Sequence, residues 1–148
     1  MDWKKNCMNI WVIITSILLG GWFLGAIITY KFGKYVLVEG MGAKSPEFLM
    51  LLLLFSISFA AYLIDQRVGQ WILIGILLFW LVIQFFCHWY FTLFGASEKK
   101  LNGYNECFHN TVRLFRQSDS RIVPDFYHIV LHLLILCDLV LVIIAMVM

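Results

Sequence analysis

The chain has 148 residues, of which 62% are hydrophobic and only 14% are charged. Soluble domains average about 45–50% apolar and about 25% charged residues, and a domain this small has too little interior to hide the excess. The composition therefore indicates that lipid surrounds most of the chain, and it excludes a disordered or a disulfide-stapled protein. The net charge of +2 is too small to indicate a nucleic-acid partner.

Four apolar segments account for most of the sequence. They cover residues 10–30, 48–64, 68–94 and 126–148, and of the 20 charged residues only Asp138 lies within them. Each segment is long enough to cross a hydrocarbon core of about 30 Å as a helix, and a helix satisfies its own backbone hydrogen bonds in lipid. The sequence therefore predicts an all-α integral membrane protein, with four transmembrane helices in one domain over residues 1–148.

The distribution of lysine and arginine sets the predicted orientation. Eight of the 11 basic residues lie in the loops 31–47 and 95–125, and the other three lie near the N-terminus and in the turn between the second and third segments. Because Lys and Arg concentrate in cytoplasmic loops, both long loops are predicted to be cytoplasmic and both termini to lie on the opposite side. The first apolar segment is longer than the core of a signal peptide and is predicted to be retained.

The loop between the third and fourth segments carries a helical pattern. Five apolar residues recur at intervals of three and four and share one helix face: Leu101, Tyr104, Phe108, Val112 and Phe115. They predict an amphipathic helix over about 101–116 that lies in the membrane surface with its apolar face towards lipid. His109, Arg113 and Arg116 on its flank suggest a binding site for an anionic lipid headgroup or a phosphate.

All four histidines lie between residues 88 and 132. His88 and His132 are equally far from the loop that joins the antiparallel third and fourth segments, so they are predicted at one depth, about two helical turns below the surface. Asp125, His128 and His132 share one face of the fourth helix. With His88, this set could hold a divalent metal, and His88 with His132 could bind a haem. Alternatively, the histidines are interfacial side chains without a ligand.

Asp138 is the one charged residue inside an apolar segment. A carboxylate at the centre of a membrane helix costs about 2.5–3.5 kcal/mol on insertion scales and usually faces a polar partner. Gln84 in the third segment, and Ser56 and Ser58 in the second, are predicted at a similar depth, so we expect these four residues to form an intramembrane polar site. Two roles stay open for it: fixing the pairing of helices, or providing a protonatable group on a transport path.

Two classes of function fit these features. The first is a transporter or a membrane-complex subunit with its polar site around Asp138 and Gln84. Since four helices enclose little volume, a transport path would need a homo-oligomer or a larger partner. The second is a membrane-embedded enzyme or redox protein that holds a metal or haem through its histidines. The sequence contains no C-x-x-C, nucleotide-binding or hydrolase motif that names a reaction, and we expect the first class.

Overall fold

The computed structural model describes residues 2–40 and 42–148, so position 41 of the predicted 31–47 loop lies outside it. In the described part, six α-helices and one two-stranded hairpin follow each other along the chain. In order these are α1 (Asp2–Leu24), β1 (Tyr30–Phe32), β2 (Tyr35–Val38), α2 (Pro46–Ile64), α3 (Gln66–Gln84), α4 (Tyr90–Phe94), α5 (Glu98–Cys107) and α6 (Phe126–Val147). A π-helical turn, Phe85–Trp89, joins α3 to α4 as one continuous helix. The prediction of a mainly helical chain with four helices long and apolar enough to cross a membrane is confirmed.

Capping residues define where the second and third long helices begin. The Ser45 hydroxyl accepts a backbone N–H of α2, and Pro46 occupies the first helical position, where its missing N–H costs nothing. The Asp65 carboxylate accepts two backbone N–H groups at the start of α3. The predicted starts at 48 and 68 are therefore two residues late. Each helix begins directly after its polar capping residue, before its apolar run starts.

The first apolar segment differs from the helix predicted over 10–30. α1 begins at Asp2 and ends at Leu24, a single 3-10 turn follows, and Tyr30 opens the β1–β2 hairpin instead of closing the helix. Gly33 adopts a φ of +60° at the hairpin turn, a conformation that glycine takes without strain. The β-branched residues just before β1 favour extended backbone, which apolarity alone does not reveal.

α3 and α6 are the two inner helices of the bundle. Both α1 and α3 pack along α6, α3 also packs against α2, and α1 touches α2 only lightly. One apolar core runs through the four helices and includes the fully buried side chains of Trp80 and Ile135. The outward-facing side chains are apolar as well, since Ile17, Leu53 and Leu133 are each at least 60% exposed. Helices that are apolar on every face are typical of proteins surrounded by lipid.

The hairpin and the 95–125 loop meet at one end of the bundle, here called the loop end. The Val36 N–H donates to the Asn110 carbonyl, and the Val112 N–H donates to the Val36 carbonyl. This pairing corrects the helix predicted over 101–116, because α5 stops at Cys107 and the chain beyond it is extended against β2. Hydrogen bonds to a neighbouring strand compete with helix formation here, and tertiary context overrides the helical periodicity.

The apolar face of α5 packs on the protein itself. Leu101 and Tyr104 form a small core with Ile122, under the loop. Phe115, which the periodicity places on the same face, is instead 63% exposed beyond the end of the helix. The first half of the predicted apolar stripe therefore serves internal packing, because the loop folds back over α5.

Candidate functional site

Asp125 and His128 form a hydrogen-bonded pair in the first turn of α6. Asp125 is 1% exposed, and its Oδ1 accepts the backbone N–H of His128 at 3.0 Å and lies 2.6 Å from Nδ1 of the same residue. Burial raises the pKa of Asp125, but the hydrogen bonds from His128 outweigh burial, so the net pKa lies below the ordinary value. Asp125 is therefore ionised at neutral pH and accepts the Nδ1–H of His128, so that in the neutral form of this imidazole the lone pair is on Nε2.

His88 lies against this pair from the π-helical turn, a kind of irregularity that is frequent at functional sites. The ring centroids of His88 and His128 are 4.2 Å apart, and Tyr104 Oη lies 3.3 Å from His88 Nδ1. Burial, and then the charge of Asp125, raises the pKa of Tyr104 above its ordinary value, so the phenol stays protonated. Among the described residues the phenol has no other acceptor, and we assign it as the donor to Nδ1, which leaves the proton of His88 on Nε2.

His132 uses both ring nitrogens in contacts with the neighbouring helix. Trp89 Nε1, which can only donate, lies 3.1 Å from His132 Nδ1. His132 therefore carries its proton on Nε2 and donates it to Gln84 Oε1, also at 3.1 Å. This chain of hydrogen bonds holds the imidazole neutral and orients the Gln84 amide.

These contacts do not fit the predicted metal or haem site. The three histidines meet, but His132 has no lone pair left for a metal. The rings of His88 and His132 are in direct edge contact, with centroids 5.6 Å apart, whereas axial ligands must leave room for the haem iron between them. Across residues 2–40 and 42–148, no group of three or more His, Cys, Asp or Glu side chains is arranged to hold a metal ion.

A cavity of about 190 Å³ adjoins the Asp125–His128 pair. Its walls are mainly apolar and include four aromatic rings, those of Phe23, Phe48, Phe108 and Tyr127. The polar groups in the same lining come from five residues: Glu39, Ser45, Gln84, Asp125 and His128. Because a cavity of about 150 Å³ can hold benzene, this one accommodates a single six-membered ring with a small polar substituent.

Asp138 belongs to a different site, between α6 and α1. It is fully buried, with Thr15 Oγ1 2.6 Å from its Oδ1 and Ser16 Oγ 2.8 Å from its Oδ2. The two hydroxyls donate to the carboxylate, so α1 satisfies the acid. Thr15 and Ser16 were missed as partners, although two adjacent hydroxyls inside an apolar run are a visible signal.

The predicted polar layer around Asp138 is not formed. Gln84 accepts from His132, and the hydroxyls of Ser56 and Ser58 turn back to carbonyls of their own helix. Depth along a helix follows from counting residues, whereas the choice of neighbour does not, and α1 rather than α3 faces Asp138. The four residues therefore share no hydrogen bond with one another, and the intramembrane site expected from them is not formed.

The basic flank of the 95–125 loop does not gather into one cluster. Arg113 Nη2 donates to Asn105 Oδ1 at 3.1 Å, and its guanidinium lies 5.8 Å from the centre of the Tyr104 ring. His109 and Arg116 are both exposed, and His109 contacts its own neighbour, Asn110. Arg113 thus holds the end of α5 in place.

The fold and the site define a class in structural terms. It is a bundle of four long apolar helices with a hydrogen-bonded Asp–His pair, whose carboxylate is buried, beside a cavity at one end. No family model, curated protein or solved structure matches the chain. The function is therefore argued from the Asp125–His128 pair and its cavity.

Asp125→Asn should lower the stability of the protein at neutral pH. The loss of stability relative to the wild type should be smaller in acid. Because the folded-state pKa of Asp125 is depressed, its contribution is present above about pH 4 and is lost as the pH falls through the folded pKa. A hydrogen bond to a charged group contributes about 1.5–3 kcal/mol, while asparagine keeps the N-cap. In thermal unfolding in detergent, the difference in Tm between the two proteins should shrink from about pH 7 to about pH 3; a constant difference would contradict the assignment.

Proposed function

We propose that this chain is a multi-pass membrane protein that binds a small ring-bearing molecule at its loop end and takes up a proton from it through His128. The membrane placement is supported by four long helices whose outward faces are apolar. The chemical part rests on one observation, the 2.6 Å contact between Asp125 and His128 in the wall of a cavity.

His128 has the features of a general base. Its Nδ1–H is held by the Asp125 carboxylate, so Nε2 presents a lone pair, and the buried carboxylate stabilises the imidazolium that forms when a proton arrives. An imidazole without this partner would gain charge in an apolar site at a larger cost. The Asp125 carboxylate is therefore the group that would balance the charge of an imidazolium at this site.

Gln84 fits the conjugate base that remains after the ligand has lost this proton. Gln84 Oε1 is taken by His132, so the polar group of Gln84 left for the cavity is its NH₂ donor. The Gln84 amide is therefore a donor available to a developing oxyanion, which has to bind on the Gln84 side of the cavity, away from the carboxylates of Glu39 and Asp125 in the same lining.

The cavity indicates the chemical class of the ligand. Aromatic walls and a volume of about 190 Å³ favour one ring, and the acid–base pair favours a substituent with an acidic O–H. Phenols combine both properties. Asp138, whose carboxylate is already satisfied by α1, is assigned to helix pairing and not to this chemistry.

Binding of para-fluorophenol, followed by fluorine NMR in detergent, tests the proposal. Wild-type protein should bind it saturably, and His128→Gln should weaken binding about tenfold, because one hydrogen bond with a charge-assisted partner is lost. Fluorobenzene, which has the ring without the O–H, is the matched probe and should bind wild type and His128→Gln equally. The proposal fails if para-fluorophenol does not bind, or if His128→Gln binds it as well as the wild type does.

A further inference from the structure

A second cavity lies at the opposite end of the bundle, called the turn end, where Asp65 connects α2 to α3. It has a volume of about 490 Å³ and lies between the beginnings of α1 and α3 and the end of α6. Its lining consists of Lys5, Gln66, Arg67, Gln70, Trp71 and Met146. None of these residues belongs to the acid–base site at the loop end.

Gln70 is the unusual member of this lining. It is 5% exposed, and its Nε2 is buried without a hydrogen-bond partner in residues 2–40 and 42–148. Nearby polar groups are paired with one another, since Tyr62 Oη donates to Asn9 Oδ1 and Asn9 Nδ2 donates to Gln66 Oε1. A buried donor left without an acceptor is costly. A rotation of the Gln70 side chain that turned Nε2 into the cavity would let a ligand there accept its hydrogen bond and remove that cost.

The charges around Gln70 are positive. Lys5 and Arg67 both line the cavity. Asp65 lies two residues before Arg67 in the sequence, but its Oδ1 accepts two backbone N–H groups at the start of α3. The cavity therefore offers an ammonium and a guanidinium, and the Gln70 amide N–H adds a third donor once that side chain turns. The complementary ligand is an anion with several acceptor oxygens. A phosphate group has this chemistry, and the planar guanidinium of arginine can donate two parallel hydrogen bonds to its oxygens.

We propose that the Gln70 cavity binds a phosphate group. The Gln70 side chain turns so that Nε2 donates to one phosphate oxygen, and Arg67 and Lys5 neutralise the charge. Trp71, 65% exposed at the cavity edge, is an aromatic side chain of the kind that lies at the headgroup level of a membrane. The phosphate is supplied either by a lipid headgroup, a source that rests on the membrane placement proposed above, or by a soluble phosphate.

Thermal unfolding in an uncharged detergent tests this proposal with inorganic phosphate, dioctanoyl phosphatidic acid and, as the lipid without phosphate, dioctanoylglycerol. Phosphatidic acid or phosphate should raise the Tm saturably, and dioctanoylglycerol should not. Gln70→Leu and Arg67→Gln should each weaken the apparent affinity at least tenfold. Lys4→Gln removes one positive charge near the same end but outside the cavity lining, and it should respond as the wild type does.

Each outcome either identifies the source of the phosphate or overturns the proposal. A response to phosphatidic acid alone assigns a lipid headgroup, and a response to inorganic phosphate as well assigns a soluble source. Without ligand, Gln70→Leu should unfold at the wild-type temperature or above it, because it removes an unsatisfied buried amide, so a lost response is not a lost fold. The proposal is overturned if neither compound gives a saturable shift or if Gln70→Leu responds like the wild type. Binding of para-fluorophenol at the loop end is independent of either result.

Discussion

Alanine in place of Gly69 should prevent α2 and α3 from closing against each other and should lower the free energy of unfolding by about 3 kcal/mol or more. A Cβ at this position would overlap the backbone of Tyr62 and lie 2.6 Å from the carbonyl carbon of Ala61. Side chains can rotate away from a new methyl group, but here the backbone of α2 itself has to move. Tyr62 also donates to Asn9 of α1, so a shifted α2 loses that interhelical contact as well.

Gly75→Ala is the matched control for this effect. It lies in the same helix, and a Cβ there meets nothing within 4 Å. It should leave the free energy of unfolding unchanged or raise it by up to about 1 kcal/mol, since alanine favours the helix over glycine. Titration of both proteins with a denaturing detergent measures the difference; equal losses for the two variants would show that close packing at Gly69 is not the cause.

Leucine at position 138 should produce the second large effect, a loss of about 2 kcal/mol in the free energy of unfolding. Each interhelical hydrogen bond in a membrane protein contributes about 0.6–1.7 kcal/mol, and Asp138 accepts one from Thr15 and one from Ser16. Thr15 keeps the Trp11 carbonyl, 3.0 Å away, whereas Ser16, 1% exposed, loses its acceptor. Cys137→Leu, on the exposed face beside Asp138, controls for the added apolar volume.

Asparagine at position 138 distinguishes helix pairing from a role in transport. Its Oδ1 still accepts from Thr15 and its amide can donate to the Ser16 oxygen, so the stability loss should stay below about 1 kcal/mol. Proton flux through reconstituted liposomes and para-fluorophenol binding should both equal those of the wild type. Proton-coupled flux in the wild type that Asp138→Asn abolishes while keeping the fold would contradict the helix-pairing role and restore Asp138 as a transport residue.

The histidine cluster shows how far local reasoning reaches. Asp125, His128 and His132 are close in sequence and helical, so their common face follows from the period of the helix. The position of His88 at the same depth follows from the antiparallel arrangement of two helices joined by one loop. The hydrogen-bond partners do not follow, because Trp89 determines which nitrogen of His132 carries the proton and thereby removes it as a ligand.

What the sequence by itself determined is the part that depends on neighbours along the chain. Runs of apolar residues produce four long helices because each helix satisfies its own backbone within a few residues, and Ser45 and Asp65 start two of them for the same local reason. Tertiary structure alone decided that Asp138 meets Thr15, 123 residues away, and that α5 ends where the chain pairs with β2. It also decided that the amide nitrogen of Gln70 is buried without an acceptor among the described residues. These contacts depend on which helices and loops are neighbours in the fold, and the helical period within one segment does not predict those neighbours.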